Sequence, residues 1–566
     1  MRQWMVAAKK ADFYVIAEKF HVDPVVARII RNREVIGEKN IRIYLGGNLS
    51  DLSDPHQMKD MDQLVEILAQ KIRKQVHIRI IGDYDVDGVT SSHLFLTALR
   101  RVGAKVDVVI PHRIQDGYGL SLHLLQQAKE DGVDTILTCD NGIAAIDEIA
   151  WAKAQKMTVL VTDHHAVPFE EHEGRRTEKK SLADAVVNPH QQDCGYPYKE
   201  LCGAGVAWNV IRVLYENYDM DKREAEDLLD FVAMATVCDV MSLTGENRIL
   251  VKEGLKRIRH TKNIGLQALM QACNVQPENI SAYHFGYVLG PCVNATGRLD
   301  TARHALRLFE TGQETEAEEI ARDLVDLNQE RKELTLQGVE MAKKLCEEGG
   351  YENDPVLVLF LPDVHESIAG LIAGRIREMY NRPVFVLTRG EEGVKGSGRS
   401  TENYSMYENM CGCAELFTKF GGHPMAAGLS LPEENVEKFR RKINENCPLT
   451  VEEVCPDIHI DMAMPVGYAS TELVHQFALL EPFGKDNPSP LFADRNLSIS
   501  RMWLIGKNRN VLRMSVLSEY GQPVPVIFFG DVETLFAYFT EKFGQEEVEN
   551  ALHGRKNRIL FSMVYT

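Results

Sequence analysis

The sequence predicts an α/β protein of several domains, with a parallel sheet in its first half and a small β barrel at its C-terminal end. Between residues 60 and 215, apolar runs typical of strands alternate with helical patterns about every 20 to 30 residues, as in βαβ units. A long charged helical pattern runs from Glu314 to Glu347. Short strand-like runs separated by turns follow Pro448, and such runs are typical of a barrel.

A chain of 566 residues is too long for one core and suggests roughly three or four domains. We predict a small N-terminal helical leader, a first α/β domain, a connecting helix, a second α/β domain and a small β barrel. Their expected bounds are 1–55, 56–310, 311–348, 349–447 and 448–566.

Composition limits the classes of function. The chain has 64 Lys plus Arg against 82 Asp plus Glu, a formal charge of −18, which argues against a uniformly basic surface but leaves room for a local basic groove. Its 11 cysteines form no CxxC pair, so we expect reduced thiols. The first residues lead into lysines and no apolar stretch of 18 residues occurs, so we expect a cytoplasmic protein that does not enter the membrane.

Five apolar runs are the predicted strands of the first sheet, and residues 221–310 after them have mostly helical patterns. The runs are 77–81, 106–110, 135–139, 157–161 and 185–188. In the second α/β domain, runs over 356–361 and 383–387 predict strands, and glycines at 396–398 and 421–428 predict turns.

Aspartates and histidines follow two of the first-domain strands directly. Asp83, Asp85 and Asp87 come after the 77–81 run, and Asp163-His164-His165 after the 157–161 run. Ligands of open α/β sheets bind at the carboxyl ends of the strands. Carboxylates packed so closely repel one another and are costly to bury unless cations hold them. The pattern therefore predicts a divalent-metal site.

Two simpler interpretations compete with the metal site. Asp83-x-Asp85-x-Asp87-Gly88 also opens like an EF-hand loop, but Leu94 occupies the twelfth position and a strand, not a helix, precedes it. Each aspartate alone is more often a cap or a turn residue. Because Asp140 also follows a strand run and Asp239 ends an apolar helical run, four acidic sites at one sheet edge favour the metal.

Oxygen ligands with one or two imidazoles suit Mn²⁺ or Mg²⁺ better than structural zinc, which prefers Cys and His. There are enough carboxylates here for two ions that share a bridging aspartate. A pair of such ions activates water and stabilises the attacking and leaving oxygens of a phosphoryl transfer. Phosphoester hydrolysis is therefore the leading chemistry.

These motifs together resemble a known superfamily. Asp85-x-Asp87, Asp140, Asp163-His164-His165 and Asp239 are similar, in this order, to the four motifs of the DHH phosphoesterases. The segments 395–400 (Lys-Gly-Ser-Gly-Arg-Ser) and 420–428 (Phe-Gly-Gly-His-Pro-Met-Ala-Ala-Gly) resemble the associated DHHA1-type substrate-binding domain.

Further segments narrow the resemblance to the RecJ family, the bacterial single-strand-specific 5′→3′ DNA exonucleases. They are 116–120 (Asp-Gly-Tyr-Gly-Leu), 294–299 (Asn-Ala-Thr-Gly-Arg-Leu) and 480–484 (Leu-Glu-Pro-Phe-Gly). The similarity runs from about residue 15 to the end. The combination of these motifs is specific to the family, although no single motif is.

The resemblance implies roles for individual residues. Two Mn²⁺ or Mg²⁺ ions would be held by Asp83, Asp85, Asp87, Asp140, His164 and Asp239, with Asp140 as the bridge. The implied catalytic residues are His165, Asp140 and Asp163, and His165 is expected to face the scissile phosphate as proton donor or charge stabiliser.

Donors for further phosphates are the other requirement of an enzyme that works along a strand. The candidates are Arg298, Ser397, Arg399, Ser400, His423 and, with less support, Asn188. The competing interpretation is that the glycines are ordinary turn residues and Arg399 a surface ion pair.

The C-terminal region mixes cations with aromatic residues. Such a mixture suits the binding of single strands by an OB fold, where bases stack on aromatics and cations follow phosphates, although each aromatic alone is more often part of a core. The cations are Lys507, Arg509, Arg513, Lys542, Arg555, Lys556 and Arg558, and the aromatics are Trp503, Phe528 and Phe529.

The predicted function is that of a monomeric 5′→3′ exonuclease specific for single-stranded DNA, which releases mononucleotides by a two-metal mechanism in recombination and repair. Candidate protein partners are a single-strand-binding protein and a DNA helicase. The alternatives are a DHH phosphodiesterase for nanoRNA or cyclic dinucleotides, and a non-catalytic RecJ-like scaffold. The extra barrel argues against the first, and the intact ligand set argues against the second.

Overall fold

The computed structural model describes residues 4–113, 116–117, 119–172, 175–351, 353–390, 393–506 and 509–566. The chain forms two compact units. One comprises Gly47–Pro456 with Pro482–Asp486, and the other comprises Met1–Gly46, Asp457–Glu481 and Asn487–Thr566.

A five-stranded parallel sheet organises the first lobe of the larger unit, residues 47–310, as the strand pattern predicted. In spatial order its strands are Val106–Val109, Ile78–Ile81, Thr135–Cys139, Thr158–Thr162 and Ala185–Val187. Helices cover both faces, which is why the central strands are almost wholly apolar. Met61–Arg73, Val86–Arg101 and Gly203–Asn217 pack on one face, and Leu122–Glu130 and Ile146–Ala154 on the other.

The rest of the first lobe is helical, as expected, apart from a hairpin of Phe169–His172 and Arg175–Glu178 that the sequence did not indicate. The helices are Lys222–Glu226, Leu229–Cys238, Gly245–Ile258, Ile264–Ala272, Ala282–His284, the π-helix Phe285–Leu289, Gly290–Leu299 and Arg303–Glu310.

One helix of 35 residues, Glu314–Glu348, connects this lobe to the next. At 1.5 Å per residue it is about 50 Å long. Its mid-helix Gly338 allows close packing, since a Cβ there would lie 2.3 Å from Ile372 Cδ1 of the helix Glu366–Tyr380.

The second lobe, residues 351–456, contains a mixed five-stranded sheet. Its strands in spatial order are Lys419–His423, Ala426–Leu431, Gly393–Arg399, Val384–Gly390 and Leu357–Phe360, of which the last two pair in parallel and the others antiparallel. Its helices are Glu366–Tyr380, Met406–Cys411 and Val436–Glu445.

Strands run through most of the glycine-rich segments of this lobe, so the predicted turn at 396–398 was wrong and the turn predicted over 421–428 is shorter than expected. A Cβ on Gly396 would lie 2.4 Å from Leu387 Cδ2, and one on Gly398 would lie 2.3 Å from Met406 Sδ. Gly396 and Gly398 are therefore required by close packing in the sheet, and composition alone does not distinguish such glycines from turn glycines. Within 421–428 the hairpin turn itself is confined to Pro424 and Met425.

The smaller unit contains a C-terminal half-barrel, which fits the predicted OB fold. Its strands are Met462–Ala463, Phe492–Ile505, Val511–Leu517, Pro523–Phe528 and Leu560–Tyr565, and its helices are Thr471–Phe477, Val532–Phe543 and Gln545–Leu552.

The N-terminal helices Phe13–Phe20, Pro24–Asn32 and Glu38–Gly46 belong to this same unit. Strand Trp4–Val6 pairs in parallel with Ile458–Ile460. The buried guanidinium of Arg33 donates to both carboxylate oxygens of Asp461, at 2.7 and 3.0 Å. The leader thus packs with residues more than 400 positions away in the chain.

Over the described ranges, no helix combines the length and the apolar character needed to cross a membrane.

Candidate active site

The first acidic loop folds back on itself at the end of the strand Ile78–Ile81. A Cβ on Gly88 would lie 2.5 Å from the backbone nitrogen of Asp83, so only glycine permits this approach. Asp85 caps the helix Val86–Arg101 by accepting from the Gly88 N–H at 3.0 Å. The competing interpretation as a cap residue is thus correct for Asp85, and the same cap gathers the carboxylates into one place.

Asp87 is fixed by the N-terminus of the helix Gly203–Asn217. The backbone N–H groups of Gly203 and Ala204 donate to its two carboxylate oxygens at 2.6 and 2.8 Å. A helix N-terminus favours a negative charge. A Cβ on Gly203 would lie 2.6 Å from Asp140 Cβ, so this glycine is also sterically required. The sequence analysis missed both residues; Gly203-Ala204-Gly205 before an apolar helical run was the available signal.

Asp140 directly follows the strand Thr135–Cys139 and has φ 63°, in the left-handed region. Aspartate tolerates this conformation better than most residues, and such outliers gather at functional sites. The turn aims the carboxylate at His164, whose Nε2 lies 3.1 Å from Asp140 Oδ1.

The six predicted metal ligands come together in two groups of three, and Asp140 and His164 also form a third possible metal-binding group with His165. Asp87, His164 and Asp239 form one group, Asp83, Asp85 and Asp140 the other, and within each group the ligand atoms lie within 4.8 Å of one another. His164 Nε2 is 3.6 Å from both Asp87 Oδ2 and Asp239 Oδ2. The 3.1 Å contact of His164 with Asp140 joins the groups.

The chemistry of this cluster fits divalent cations. Burial and the neighbouring carboxylates raise the pKa values of Asp83, Asp85, Asp140 and Asp239 above the usual range for aspartate. Asp83 Oδ1 and His164 Nε2 are buried and make no hydrogen bond among the described residues. Buried polar atoms of this kind are costly unless something binds them. Because most donors are oxygens, Mn²⁺ or Mg²⁺ matches the set.

His165 has different surroundings from His164. Its Nδ1 lies 2.8 Å from Asp163 Oδ1, and Asp163 also accepts from the backbone N–H groups of His164 and His165 at 2.7 and 3.1 Å. Burial lowers the pKa of His165, but the hydrogen bond and charge of Asp163 outweigh it and raise the pKa to about 9. Asp163 therefore orients the His165 imidazole beside the cluster.

A cleft of about 550 Å³ lies between the two lobes of the larger unit. The first lobe contributes four lining residues: Tyr84, Arg113, Gly117 and Arg298. The second lobe adds Ser397 and Arg399 along with two lysines, Lys395 and Lys419. Arg298 also donates from Nη1 to the Ser367 carbonyl at 2.7 Å, which ties the lobes together.

The cations of this cleft repel one another. Burial, followed by the charges of Arg113, Arg331 and Arg399, lowers the pKa of Arg298 to about 10. Burial and neighbouring arginines also lower the pKa of Arg399. Glu366 is the one carboxylate among the described lining residues, and it pairs with Lys395 at 2.9 Å. The arginines therefore present a site for an anion.

Three predicted phosphate donors lie elsewhere. The buried Ser400 hydroxyl donates to the Tyr404 carbonyl at 2.6 Å, so it faces the interior and not the cleft. The Asn188 side chain is buried and donates to the His165 carbonyl at 2.9 Å, which supports the histidine loop. His423 is exposed at the end of its strand and does not line the cleft.

Three protein-family sequence models match the chain. They are the DHH family N-terminal domain at residues 77–236, the DHHA1 domain at 353–447 and the RecJ OB domain at 460–558. The chain is 34% identical to the single-stranded-DNA-specific exonuclease RecJ of Haemophilus influenzae, over 88% of this chain and 88% of that protein. The chain belongs to the RecJ family.

Other RecJ proteins show the same relationship. The single-stranded-DNA-specific exonuclease RecJ of Bacillus subtilis is 33% identical over 90% of this chain, which spans 63% of that protein's length. The crystal structure of Thermus thermophilus RecJ in complex with Mn²⁺ is similar with a TM-score of 0.77 and 27% identity, covering 92% of this chain and 74% of that one. A solved exonuclease RecJ bound to manganese has a TM-score of 0.58 and 32% identity, covering 69% and 94%.

In the RecJ OB domain, Trp503 is flanked by two cations. Arg501 and Arg513 lie 5.6 and 5.3 Å from the ring centroid of Trp503. Phe528 packs against the core, which fits the simpler interpretation, whereas Phe529 is 81% exposed. Lys507 lies outside the described residues, and Arg558 is engaged by Glu547 at 2.8 Å.

Proposed function

We propose that this RecJ-family chain is a metal-dependent exonuclease that hydrolyses single-stranded DNA from its 5′ end and releases mononucleotides, with a role in recombination and repair. The observation that carries the proposal is a pair of three-residue ligand groups in the same unit as an arginine-lined cleft. The names of the relatives, single-stranded-DNA-specific exonucleases, support the choice of substrate.

In this proposal Asp87, His164 and Asp239 hold one divalent ion, and Asp83, Asp85 and Asp140 hold the second. When bound, two such ions supply an activated water and stabilise the attacking and leaving oxygens of the phosphodiester. Asp140 lies closest to the other group, through its 3.1 Å contact with His164, so it is our candidate for the shared ligand.

In this proposal His165 donates a proton, and Asp163 orients the His165 ring. His165 is held by Asp163 with its Nδ1 engaged, which leaves Nε2 to face the scissile phosphate. The hydrogen bond and charge of Asp163 raise the pKa of His165, which favours a ring that can donate a proton to a phosphoryl oxygen or to the leaving oxygen. Asn188 and Ile143 serve this arrangement indirectly: Asn188 supports the loop, and the Ile143 N–H donates to Asp163 at 2.9 Å.

The cleft supplies affinity for the strand. Arg298 and Arg399 can form bidentate contacts with phosphate oxygens, and the Ser397 hydroxyl adds a short donor. Tyr84, with the Arg113 guanidinium 4.8 Å from its ring centroid, offers a surface for a base. In this proposal the cleft between the lobes admits a single strand and excludes a duplex, so the selectivity is steric.

Digestion of labelled oligonucleotides tests the proposal directly. Single-stranded DNA labelled at either end should lose mononucleotides from its 5′ end with Mn²⁺ or Mg²⁺, and EDTA should abolish the reaction. Blunt duplex, in conditions where its ends do not fray, should resist. Equal cleavage of duplex and single strand would contradict the steric cleft. Activity confined to dinucleotides would favour a DHH phosphodiesterase for small substrates instead.

The protein partners, the monomeric state and the cytoplasmic location remain predictions. A single-strand-binding protein and a DNA helicase are the candidate partners, because both act on the proposed substrate. Co-sedimentation of the purified chain with each candidate, with and without single-stranded DNA, would test them.

A further inference from the structure

Two cysteines far from the metal ligands in sequence bring their sulfur atoms to within 3.8 Å. Cys273 is the C-terminal cap of the helix Ile264–Ala272, and Cys292 lies in the first turn of the helix Gly290–Leu299. Both are free thiols. Cys292 is 2% exposed, whereas Cys273 is only partly buried, so a small oxidant in solution can reach Cys273 first.

The surroundings of the two thiols shift their pKa values in opposite directions. The contact with Cys292 is the main cause that lowers the pKa of Cys273, burial opposes it, and the charge of Lys332 assists. The same contact and burial raise the pKa of Cys292. A thiol with a lowered pKa is more often the reactive thiolate. Cys273 is therefore suited to react with an oxidant, and Cys292 to react second.

The long connecting helix provides polar support for the second thiol. Asn328 donates from Nδ2 to Cys292 Sγ at 3.4 Å, and Arg331 donates to Asn328 Oδ1 at 2.9 and 3.1 Å. These donors stabilise negative charge on Cys292 Sγ when its proton is lost, which the second step requires.

We propose that Cys273 and Cys292 are a redox modification site that hydrogen peroxide converts reversibly into an intramolecular disulfide. The Cys273 thiolate attacks a peroxide oxygen and the O–O bond breaks, which gives a sulfenic acid and a hydroxide; the hydroxide takes up the proton that the Cys273 thiol had released and becomes water. The Cys292 sulfur then displaces hydroxide from that sulfenic acid, and the hydroxide takes a proton to leave as water. In total, two thiols and one peroxide give one disulfide and two waters.

The site is independent of the proposed nuclease activity, because it rests on the thiol geometry alone. Its disulfide would close a loop that includes the π-helix Phe285–Leu289. This segment packs on the helix that ends before Asp239, where Cys238 Sγ donates to the Phe285 carbonyl at 3.3 Å. Closing a loop restricts the unfolded chain, so the oxidised protein should have the higher Tm.

Peptide mapping of the full chain under non-reducing conditions tests the proposal. After hydrogen peroxide treatment we expect a cross-linked peptide containing Cys273 and Cys292, the loss of two titratable thiols, a raised Tm and full reversal by dithiothreitol. Oxidation that reaches only the exposed Cys411, with no 273–292 peptide, would overturn the proposal.

Three variants separate the roles of the sulfurs. Cys273→Ser, at the partly buried position, should abolish the cross-link and the rise in Tm. Cys292→Ala should leave a sulfenic acid at Cys273 that dimedone traps, and the matched control Cys411→Ser should form the disulfide like the parent chain. A disulfide that forms equally with Cys273 replaced would refute the pairing, and so would the absence of any sulfenic acid at Cys273 in Cys292→Ala.

Discussion

The carboxylate cluster and the arginine cleft show the same physical problem with opposite signs. Burial and mutual repulsion raise the pKa values of Asp83, Asp140 and Asp239, and burial and mutual repulsion lower that of Arg298 to about 10. Each cluster gathers like charges at a cost in folding free energy. Each is therefore complementary to an opposite charge: divalent cations for the first and phosphates for the second.

The two regions differ in how rigidly they are built. The carboxylates are held by strand ends, by a helix N-terminus at Asp87 and by sterically required glycines. The cleft relies on long arginine side chains contributed by both lobes. We therefore expect changes in the cluster to abolish chemistry, and changes in the cleft to weaken substrate binding by degrees.

The largest effect should follow from Asp140→Ala. Loss of the ligand that lies between the two groups should lower turnover by roughly 10³-fold or more, the upper range for removal of one preorganised electrostatic group. Metal content by mass spectrometry and single-turnover rates check this together. Asp193→Ala is the control, since this surface carboxylate pairs with Lys59 at 2.8 Å. Near-normal turnover of Asp140→Ala with two bound ions would rule out a shared ligand.

The paired histidines separate metal binding from proton transfer. His164→Ala should lose bound Mn²⁺, because Nε2 faces three carboxylates within 3.6 Å. His165→Ala should keep the metal but lower turnover by about 10² to 10⁴, the usual range for a general acid or base. Equal loss of metal in both variants would show that the two imidazoles have the same role.

The cleft is tested by Arg399→Ala. Loss of a charge-assisted phosphate contact should raise KM on long single strands by about 10- to 100-fold, equivalent to about 1.5–3 kcal/mol. The dependence of KM on salt should become flatter while metal content stays constant. Arg389→Ala is the matched control, because this exposed arginine already pairs with Glu433 at 2.9 Å. An unchanged salt dependence would place the phosphate contacts elsewhere.

The smallest effect on activity is expected from replacing His93, a buried titratable residue. His93 lies between Phe231 and Phe309, with ring centroids 4.5 and 5.8 Å away, and burial lowers its pKa to about 3. Its unfolded pKa is about 6.5. Neutral His93 therefore contributes stability that is complete above pH 6.5 and is lost as the pH falls towards 3.

His93→Phe should remove this acid sensitivity, which amounts to about 1.4 kcal/mol per pH unit, and should leave nuclease activity unchanged. Urea unfolding of both proteins between pH 4 and pH 8 measures the difference. Parallel pH profiles for the two proteins would show that His93 is already protonated in the folded state, or that it takes no part in the acid sensitivity.

The sequence alone predicted the parallel sheet, the long helix and a cluster of acidic and imidazole residues at the strand ends, whereas the set of six metal ligands came from the family resemblance and stays a prediction. Those features are local: strand and helix periods are visible in short windows, and residues that follow parallel strands must meet at one sheet edge. The predicted strand 135–139 is observed as Thr135–Cys139, and Asp140 lies at its end.

The tertiary structure decided whatever depends on contacts between distant segments. It places Tyr84 and Arg113 in the cleft, turns the Ser400 hydroxyl inward and gives Asp87 its amide donors from Gly203 and Ala204. It also makes strands of the glycine-rich segments and packs the N-terminal helices with the C-terminal unit. Composition cannot distinguish a glycine needed for packing from one needed for a turn, because only the neighbouring atoms in the fold differ.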